Sequence, residues 1–253
     1  MTTTSPHQEL AGKIALVTGA GVNIGRATAL ALAKAGASVA VNTRTSRDAA
    51  ESVANEIIAG GGQAEICMAD VADAAQVQQM VDTVLKRFGK IDILVLNASV
   101  RRETRFTEMS FEQWRVPLSI SLDGSFHCIK ACLPSMMAAG GGNIIALTGS
   151  QVLSGAVGKV HSSAAKSGLT GMIKALAREV GQYGIRANCV SPGIINTSRP
   201  SHRSPRRDPK GIVPLERYGE SEEIAATVRF LCGPGAGYIT GQTVHVNGGQ
   251  WMF

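Results

Sequence analysis

IALVTGAGVNIGRATALALAK, residues Ile14 to Lys34, is the stretch from which the rest of the chain is read. Ile14 to Val17 form a short apolar run; glycines follow at once, and then a segment rich in alanine and leucine. That order predicts strand, tight turn, helix. Gly19, Gly21 and Gly25 let the backbone of the turn approach a ligand with no Cβ in the way. A helix opening at about Asn23 or Ile24 presents unpaired N–H groups and a positive dipole end, which suit a diphosphate. Placed after a buried strand and before a helix in the first βαβ unit, the turn is a dinucleotide-binding signal.

Composition sets the outer limits. The chain has 253 residues, 44% hydrophobic and 17% charged, with net charge +6. These values predict one large α/β domain over residues 1–253, with a full core. The opening MTTTSPHQEL has no apolar segment of the secretory kind. No apolar run reaches the roughly 20 residues of a membrane span. Cys67, Cys128, Cys132, Cys189 and Cys232 form no CxxC pair and sit by no histidine cluster. They are expected to be buried, reduced thiols of a cytoplasmic protein, with no metal site. His127, His161 and His245 lie in core-like stretches. With only 4% aromatic residues and no stacking motif, nucleic acid is a poor partner.

In order, strands and helices alternate. Ser38 to Val41 is a second strand, leading into Asn42-Thr43-Arg44. Ser46 is a helix cap, the helix running to about Ala59 before Gly60-Gly61-Gly62. Ala64 to Met68 is a third strand, leading to Asp70. Asp73 caps a helix with apolar residues at Val77, Met80, Val81, Val84 and Leu85, a helical period that Gly89 closes. Ile91 to Leu96 has the nearly continuous apolar run of a buried parallel strand. A long helical region begins at Ser110, is interrupted by Pro117, and ends at Gly140 to Gly142. Further strands are expected at Asn143 to Leu147, Arg186 to Val190 and Thr243 to Val246. Helices are expected from Ser162 to about Gln182 and from Ser221 to Leu231. Repeated βα units imply right-handed crossovers, a doubly wound parallel sheet, and ligands at the carboxyl ends of its strands.

The succession resembles the short-chain dehydrogenase/reductase family over nearly the whole chain, in its β-ketoacyl-carrier-protein reductase-like branch. The matching pieces are TGAGVNIG (Thr18 to Gly25), Asp70 after the third strand, LNAS (Leu96 to Ser99) and GNIIALTGS (Gly142 to Ser150). They continue with SSAAKSG (Ser162 to Gly168), SPGIINT (Ser191 to Thr197) and PLERYGESEEIA with YITGQTVHVNGG near the end. The resemblance implies a Rossmann-type, doubly wound, parallel seven-stranded sheet with helices on both faces. It also implies a dinucleotide held by Gly19, Gly21, Asn23, Ile24 and Gly25 at the diphosphate, and by Asp70 and Val71 at the adenine. Asn97 and Ala98 would lie at the ribose with Lys166, and Pro192, Gly193, Ile195 and Thr197 at the carboxamide. An aspartate at the end of the second strand would bind a free ribose 2′-OH and repel a 2′-phosphate. This chain has Asn42, Thr43 and Arg44 there, and the guanidinium favours NADP over NAD.

The family's reactive groups are asparagine, serine, tyrosine and lysine. Ser150 matches the serine and Lys166 the lysine, but Ser162 stands at the tyrosine position and Ser121 at the asparagine position. Asn23 replaces a glycine of the turn, a mild change because asparagine tolerates left-handed backbone. Ser99 replaces the glycine of the usual NAG motif. Two proton sources stand in for the tyrosine: His161, or water relayed by Ser162, which shares a helix face with Lys166. If His161 lies inside the helix it is turned about 100° from Ser162; if it lies in the loop before it, the ring can turn inward.

Arg101, Arg102 and Arg105 follow the fourth strand. Arg199, His202, Arg203, Arg206, Arg207 and Lys210 follow the sixth, within a substrate lid at about 198–213. A cationic rim of this kind attracts a carboxylate, phosphate or acyl-thioester carrier. One functional reading is an NADP-dependent oxidoreductase working on the carbonyl or alcohol of a small anionic compound. The other is a nucleotide-binding or assembly subunit that transfers no hydride, because fold alone does not settle function. The apolar segments Met109 to Ala139 and Ser162 to Gln182, which pair across two-fold axes in the family, point to a homotetramer.

Overall fold

The computed structural model describes residues 8–198 and 208–252. In chain order its elements are β1 (Ile14–Val17), α1 (Asn23–Lys34), β2 (Ser38–Thr43), α2 (Arg47–Ala59), β3 (Ala64–Met68), α3 (Ala74–Phe88) and β4 (Ile93–Leu96). Next come α4 (Phe111–Leu118), α5 (Gly124–Ala138), β5 (Gly142–Leu147), α6 (Gln151–Ser154), α7 (Val160–Val180), β6 (Ile185–Pro192), α8 (Ser221–Cys232) and β7 (Thr243–Val246). The seven strands form one sheet in the order β3-β2-β1-β4-β5-β6-β7, and every neighbouring pair is parallel. The expected Rossmann-type sheet is therefore present. Its direction of winding reverses between β1 and β4, which opens a crevice at their carboxyl ends.

Alternation along the strands builds two cores. Leu16, Leu94, Leu96, Ile144 and Ala187 face one side, packed by Val81 and Val84 of α3, Cys128 and Cys132 of α5, and Leu169 and Ile173 of α7. Val17, Val39, Val41, Val95 and Ile145 face the other, packed by Ala29 and Leu32 of α1, Val53 and Ile57 of α2, and Ile224 and Val228 of α8. All five cysteines are buried. Burial pushes the thiols of Cys67, Cys128 and Cys232 up to about 12. Among the described residues, no helix is long and apolar enough to cross a membrane.

Several boundaries differ from the sequence reading, each for a local reason. Asp73 does cap α3, accepting from the N–H groups of Ala75 and Gln76, and Gly89 closes it in the left-handed conformation. Ser46 precedes α2 without a side-chain cap bond. Glu220 makes the capping box of α8, with Glu223. Pro117 does not end its helix. It has no N–H for the carbonyl of Gln113, and the chain continues through a π-helical turn, Ser119–Asp123, directly into α5. β4 begins at Ile93 because Asp92 is diverted to another task. Its Oδ2 accepts the N–H of Ile14 at 2.9 Å, and its carboxylate also meets Lys13 and Lys90 at 3.3 and 3.0 Å.

Asp92 thus satisfies a buried donor at the root of β1. Asp92→Ala should lower the unfolding free energy by about 1–3 kcal/mol, the scale for leaving such a donor unpaired. Asp92→Asn, which keeps an acceptor oxygen, should lose less. Urea titration of both variants checks the ranking.

Candidate active site

The crevice is shaped by how β1 and β4 end. Thr18 Oγ1 donates to Val95 O at 3.2 Å and accepts the N–H groups of Asn97 and Ala98, each at 3.0 Å. Asn97 Nδ2 in turn donates to the carbonyls of Thr18 and Gly19, at 3.0 and 2.9 Å. Asn42 supports the same turn from the other side. It is buried at the end of β2, accepts the N–H of Gly19 at 3.3 Å, and donates to Cys67 and Ala69 carbonyls. Two glycines have no substitute in this lattice. Gly19 has φ +62°, and a Cβ on Gly25 would stand 2.2 Å from Gly19 O. Asn23 opens α1 with φ 52°, in the left-handed region that asparagine tolerates.

The result is a cleft of about 500 Å³ running from Ser46 past the glycine turn to Thr197 and Ser198. Gly19, Gly21, Asn23, Ile24 and Gly25 line its middle, Thr43, Arg44, Thr45 and Ser46 one end, and Asn97, Ala98 and Arg101 the other. That size is in the range of ligand pockets. Arg44 stands 3.6 Å from Asp70 Oδ2, and both are partly exposed, so the pair is weakly held. Asp70 Oδ1 accepts the N–H of Ala72, and Val71 lies buried beneath Gly124. Neither lines the cleft. At the far end Asn23 Oδ1 accepts both the N–H and the hydroxyl of Ser198, at 2.7 and 3.0 Å. Arg101 donates to Thr197 Oγ1 at 3.4 Å.

Beyond Arg101 a second cavity, about 310 Å³, is lined by Ser99, Arg102, Thr148, Gly149, Ser150, Lys159, Ser162, Lys166, Pro192, Gly193, Ile195 and Gln250 among others. Ile24, Asn97, Ser99 and Arg101 border both spaces, so the cleft leads into the cavity. Ser150 is anchored by its N–H on Pro192 O at 3.1 Å. Lys166 is buried in α7, and its Nζ donates to Leu147 O at 2.5 Å. Burial, and after it the nearby Arg101, pushes the ammonium down to about 8, with Cys189 opposing. Among the described residues of the lining the one carboxylate is Glu103, paired with Lys159 at 3.3 Å.

Two of the residues singled out in the sequence stand outside this cavity. Ser121 is buried in the π-helical turn, and its hydroxyl donates to Ser99 Oγ at 3.4 Å, one layer behind the lining. His161 is the second residue of α7, so the helical alternative applies, and the buried ring does not line the cavity. Its Nδ1 accepts the N–H of Ser162 at 2.9 Å, a first-turn donor that no helix carbonyl serves. Burial holds the imidazole below its usual range; Arg102 adds to this, while the Lys159 carbonyl opposes it. Arg199, His202, Arg203, Arg206 and Arg207 of the expected lid lie outside the described residues. Lys210 is exposed, its N–H bound to Asp208.

Thr18 and Asn42 were not singled out as holders of the turn, although each ends a strand beside a glycine or a loop. The Asn23–Ser198 clasp joins residues 175 positions apart, and no local signal announces it.

A profile of the family described as enoyl-(acyl carrier protein) reductase matches residues 19–250. The chain belongs to the short-chain dehydrogenase/reductase family. A 3-oxoacyl-[acyl-carrier-protein] reductase of Synechocystis sp. is 43% identical over 245 residues, covering 96% of this chain and 99% of that protein. Among solved structures, a blue fluorescent protein from a metagenomic library, in complex with NADPH, superposes with a TM-score of 0.90 at 34% identity. It covers 97% of this chain and 100% of its own. A short-chain dehydrogenase from Burkholderia cenocepacia in complex with NADP gives 0.89 at 30% identity, covering 96% and 99%. The cleft described above lies at the switch point of the sheet, between β1 and β4, where doubly wound sheets hold ligands.

Because His161 is held below its ordinary value, the unfolded chain takes up its proton first on acidification. Stability should be full above about pH 6.5, the ordinary imidazole value, and should decline as the pH falls through it. His161→Gln should remove that part of the slope in urea unfolding followed between about pH 8 and pH 5.

Proposed function

We propose that the protein is an NADP-dependent oxidoreductase that reduces a carbonyl, or oxidises the matching alcohol, of a small anionic substrate. The observation that carries this reading is the continuity of the two spaces. A glycine-lined cleft shaped for a dinucleotide leads into a cavity holding Ser150 and Lys166. The cleft fits NADP on its own chemistry. Gly25 leaves a cradle that a Cβ would fill, and the N-terminus of α1 faces the place of a diphosphate. Thr43, Arg44, Thr45 and Ser46 offer hydroxyls and a guanidinium for a ribose phosphate. A phosphate dianion would outcompete the exposed Asp70 for Arg44.

When bound, the nicotinamide supplies a hydride. The chain's own residues do the rest. Ser150 would orient the substrate oxygen, Lys166 would hold the ribose, and Ser162 with water would carry the proton in place of a tyrosine. Arg101, Arg102 and Lys166 make the cavity cationic against one carboxylate that Lys159 already holds. An anion is therefore drawn in, and a 3-oxoacyl thioester or a free oxo acid has both the carbonyl and the charge. The Synechocystis relative, a 3-oxoacyl-[acyl-carrier-protein] reductase, supports the former.

We also infer a homotetramer, on the strength of Phe106, Phe111, Phe126 and Phe230, which all stand well exposed. Sedimentation should then show no lone 26.4 kDa species at micromolar concentration.

NADPH should bind more tightly than NADH, and Arg44→Ala should weaken NADPH about 10- to 100-fold, the scale of a lost charged hydrogen bond. NADH affinity should barely change. Fluorescence titration of both nucleotides decides; tighter NADH binding, or an unaltered preference in the variant, would overturn the assignment.

A further inference from the structure

The cavity poses a question about acid strength. Reduction of a carbonyl requires a proton at its oxygen, and a useful donor titrates near the working pH. The hydroxyls of Thr148, Ser150 and Ser162 line the cavity but are far too weak as acids. The guanidiniums of Arg101 and Arg102 do not give up a proton in proteins. Lys159 is engaged with Glu103. Cys189 is buried under β6 and pushed up to about 11. His161 is buried and does not line the cavity, and Tyr183 and Tyr238 are surface residues. Among the described residues, that leaves one group of suitable chemistry in the lining.

We propose that Lys166 is itself the proton donor to the substrate oxygen, acting through the Ser162 hydroxyl or one water beside it. The inference rests on the oxidoreductase reading and deepens it. Three placements support it. Lys166 lines the cavity while its Nζ is held by a single carbonyl, Leu147 O, which leaves two N–H bonds to point elsewhere. Ser162 lies one helical turn earlier on the same face and also lines the cavity. A serine, with no ring, leaves room there for a water. In the balanced step, the carbonyl carbon gains a hydride from NADPH and its oxygen takes a proton from the ammonium. The products are the alcohol, NADP⁺ and a neutral amine on Lys166, which solvent water reprotonates.

The groups around Lys166 favour this cycle. Arg101 from the segment after β4 eases proton loss, and burial does so more strongly. Cys189 on β6 works the other way, against proton loss, and is outweighed by burial. The Arg115–Asp123 pair on the α4 and π-helical segment is exposed and closed on itself at 2.9 Å. Glu103 lies at the rim with Lys159.

The test combines pH, variants and a direct titration. With NADPH and a panel of oxo acids and ketones, kcat/KM of the wild type should be level at low pH and fall above about pH 8. Lys166→Arg keeps the cation but not the acid. It should bind NADPH within a few-fold of wild type, lose about 10²-fold or more in kcat, and show no fall near that pH. Small primary amines in the buffer should restore Lys166→Ala in proportion to their acid strength. In protein labelled with ¹³C at the lysine ε-carbon, one resonance should titrate near 8 and vanish in Lys166→Arg. That readout needs no turnover and stands even if Lys166→Ala fails to fold. An active wild type with a flat profile, or a Lys166→Arg variant of undiminished kcat, would overturn the role of Lys166 alone. A wild type that binds NADPH yet oxidises none of it would overturn the oxidoreductase reading, and this proposal with it.

Discussion

The site depends on a knot of hydrogen bonds between the ends of β1 and β4. Thr18 Oγ1 accepts two consecutive N–H groups, and Asn97 returns its amide to the carbonyls of Thr18 and Gly19. Thr18 is buried and its partners are half-buried, so breaking a bond of the knot leaves a donor or acceptor poorly served by water. The knot sets the distance between the glycine turn and the loop that carries Ser99 and Arg101. It therefore decides that the nucleotide cleft and the cationic cavity share a border. Asn42 braces the turn from below, which takes that side chain out of any direct reading of a ribose.

Electrostatics divide the two spaces. The cleft is polar and mostly neutral, with Arg44 at one end. The cavity concentrates positive charge against one carboxylate that is already paired. Arg101 stands at the boundary and touches both the loop at Thr197 and the field around Lys166. A cation there would act twice: on the proposed function it attracts an anionic substrate, and it makes the neighbouring ammonium a better acid. The Asn23–Ser198 clasp adds a mechanical link, joining the glycine turn to the segment that leaves β6.

Much of this was legible in the sequence because the deciding signals are local. Strand–glycine–helix spacing places β1 and α1, apolar runs place the buried strands, and Asp73 and Gly89 mark both ends of α3 through cap chemistry. What escaped depends on contacts between distant residues. Asp92 reads as part of an apolar strand until the unpaired N–H of Ile14 appears beside it. Pro117 reads as a break, yet the missing bond is absorbed by a π-helical turn that keeps α4 and α5 continuous. At the site, the residue types of Ser150, Ser162 and Lys166 were readable, whereas the direction of His161 hung on one residue of helix register.

The central claim is that hydride transfer takes place in this cavity, whose described lining holds Ser162 and no tyrosine. The most direct measurement is isotopic. NADPH carrying deuterium at the transferring position should be incubated with an oxo acid substrate, and the recovered alcohol analysed by mass spectrometry. The account predicts one deuterium on the carbinol carbon, delivered to a single face. Alcohol lacking the label, or no alcohol despite firm NADPH binding, would contradict it.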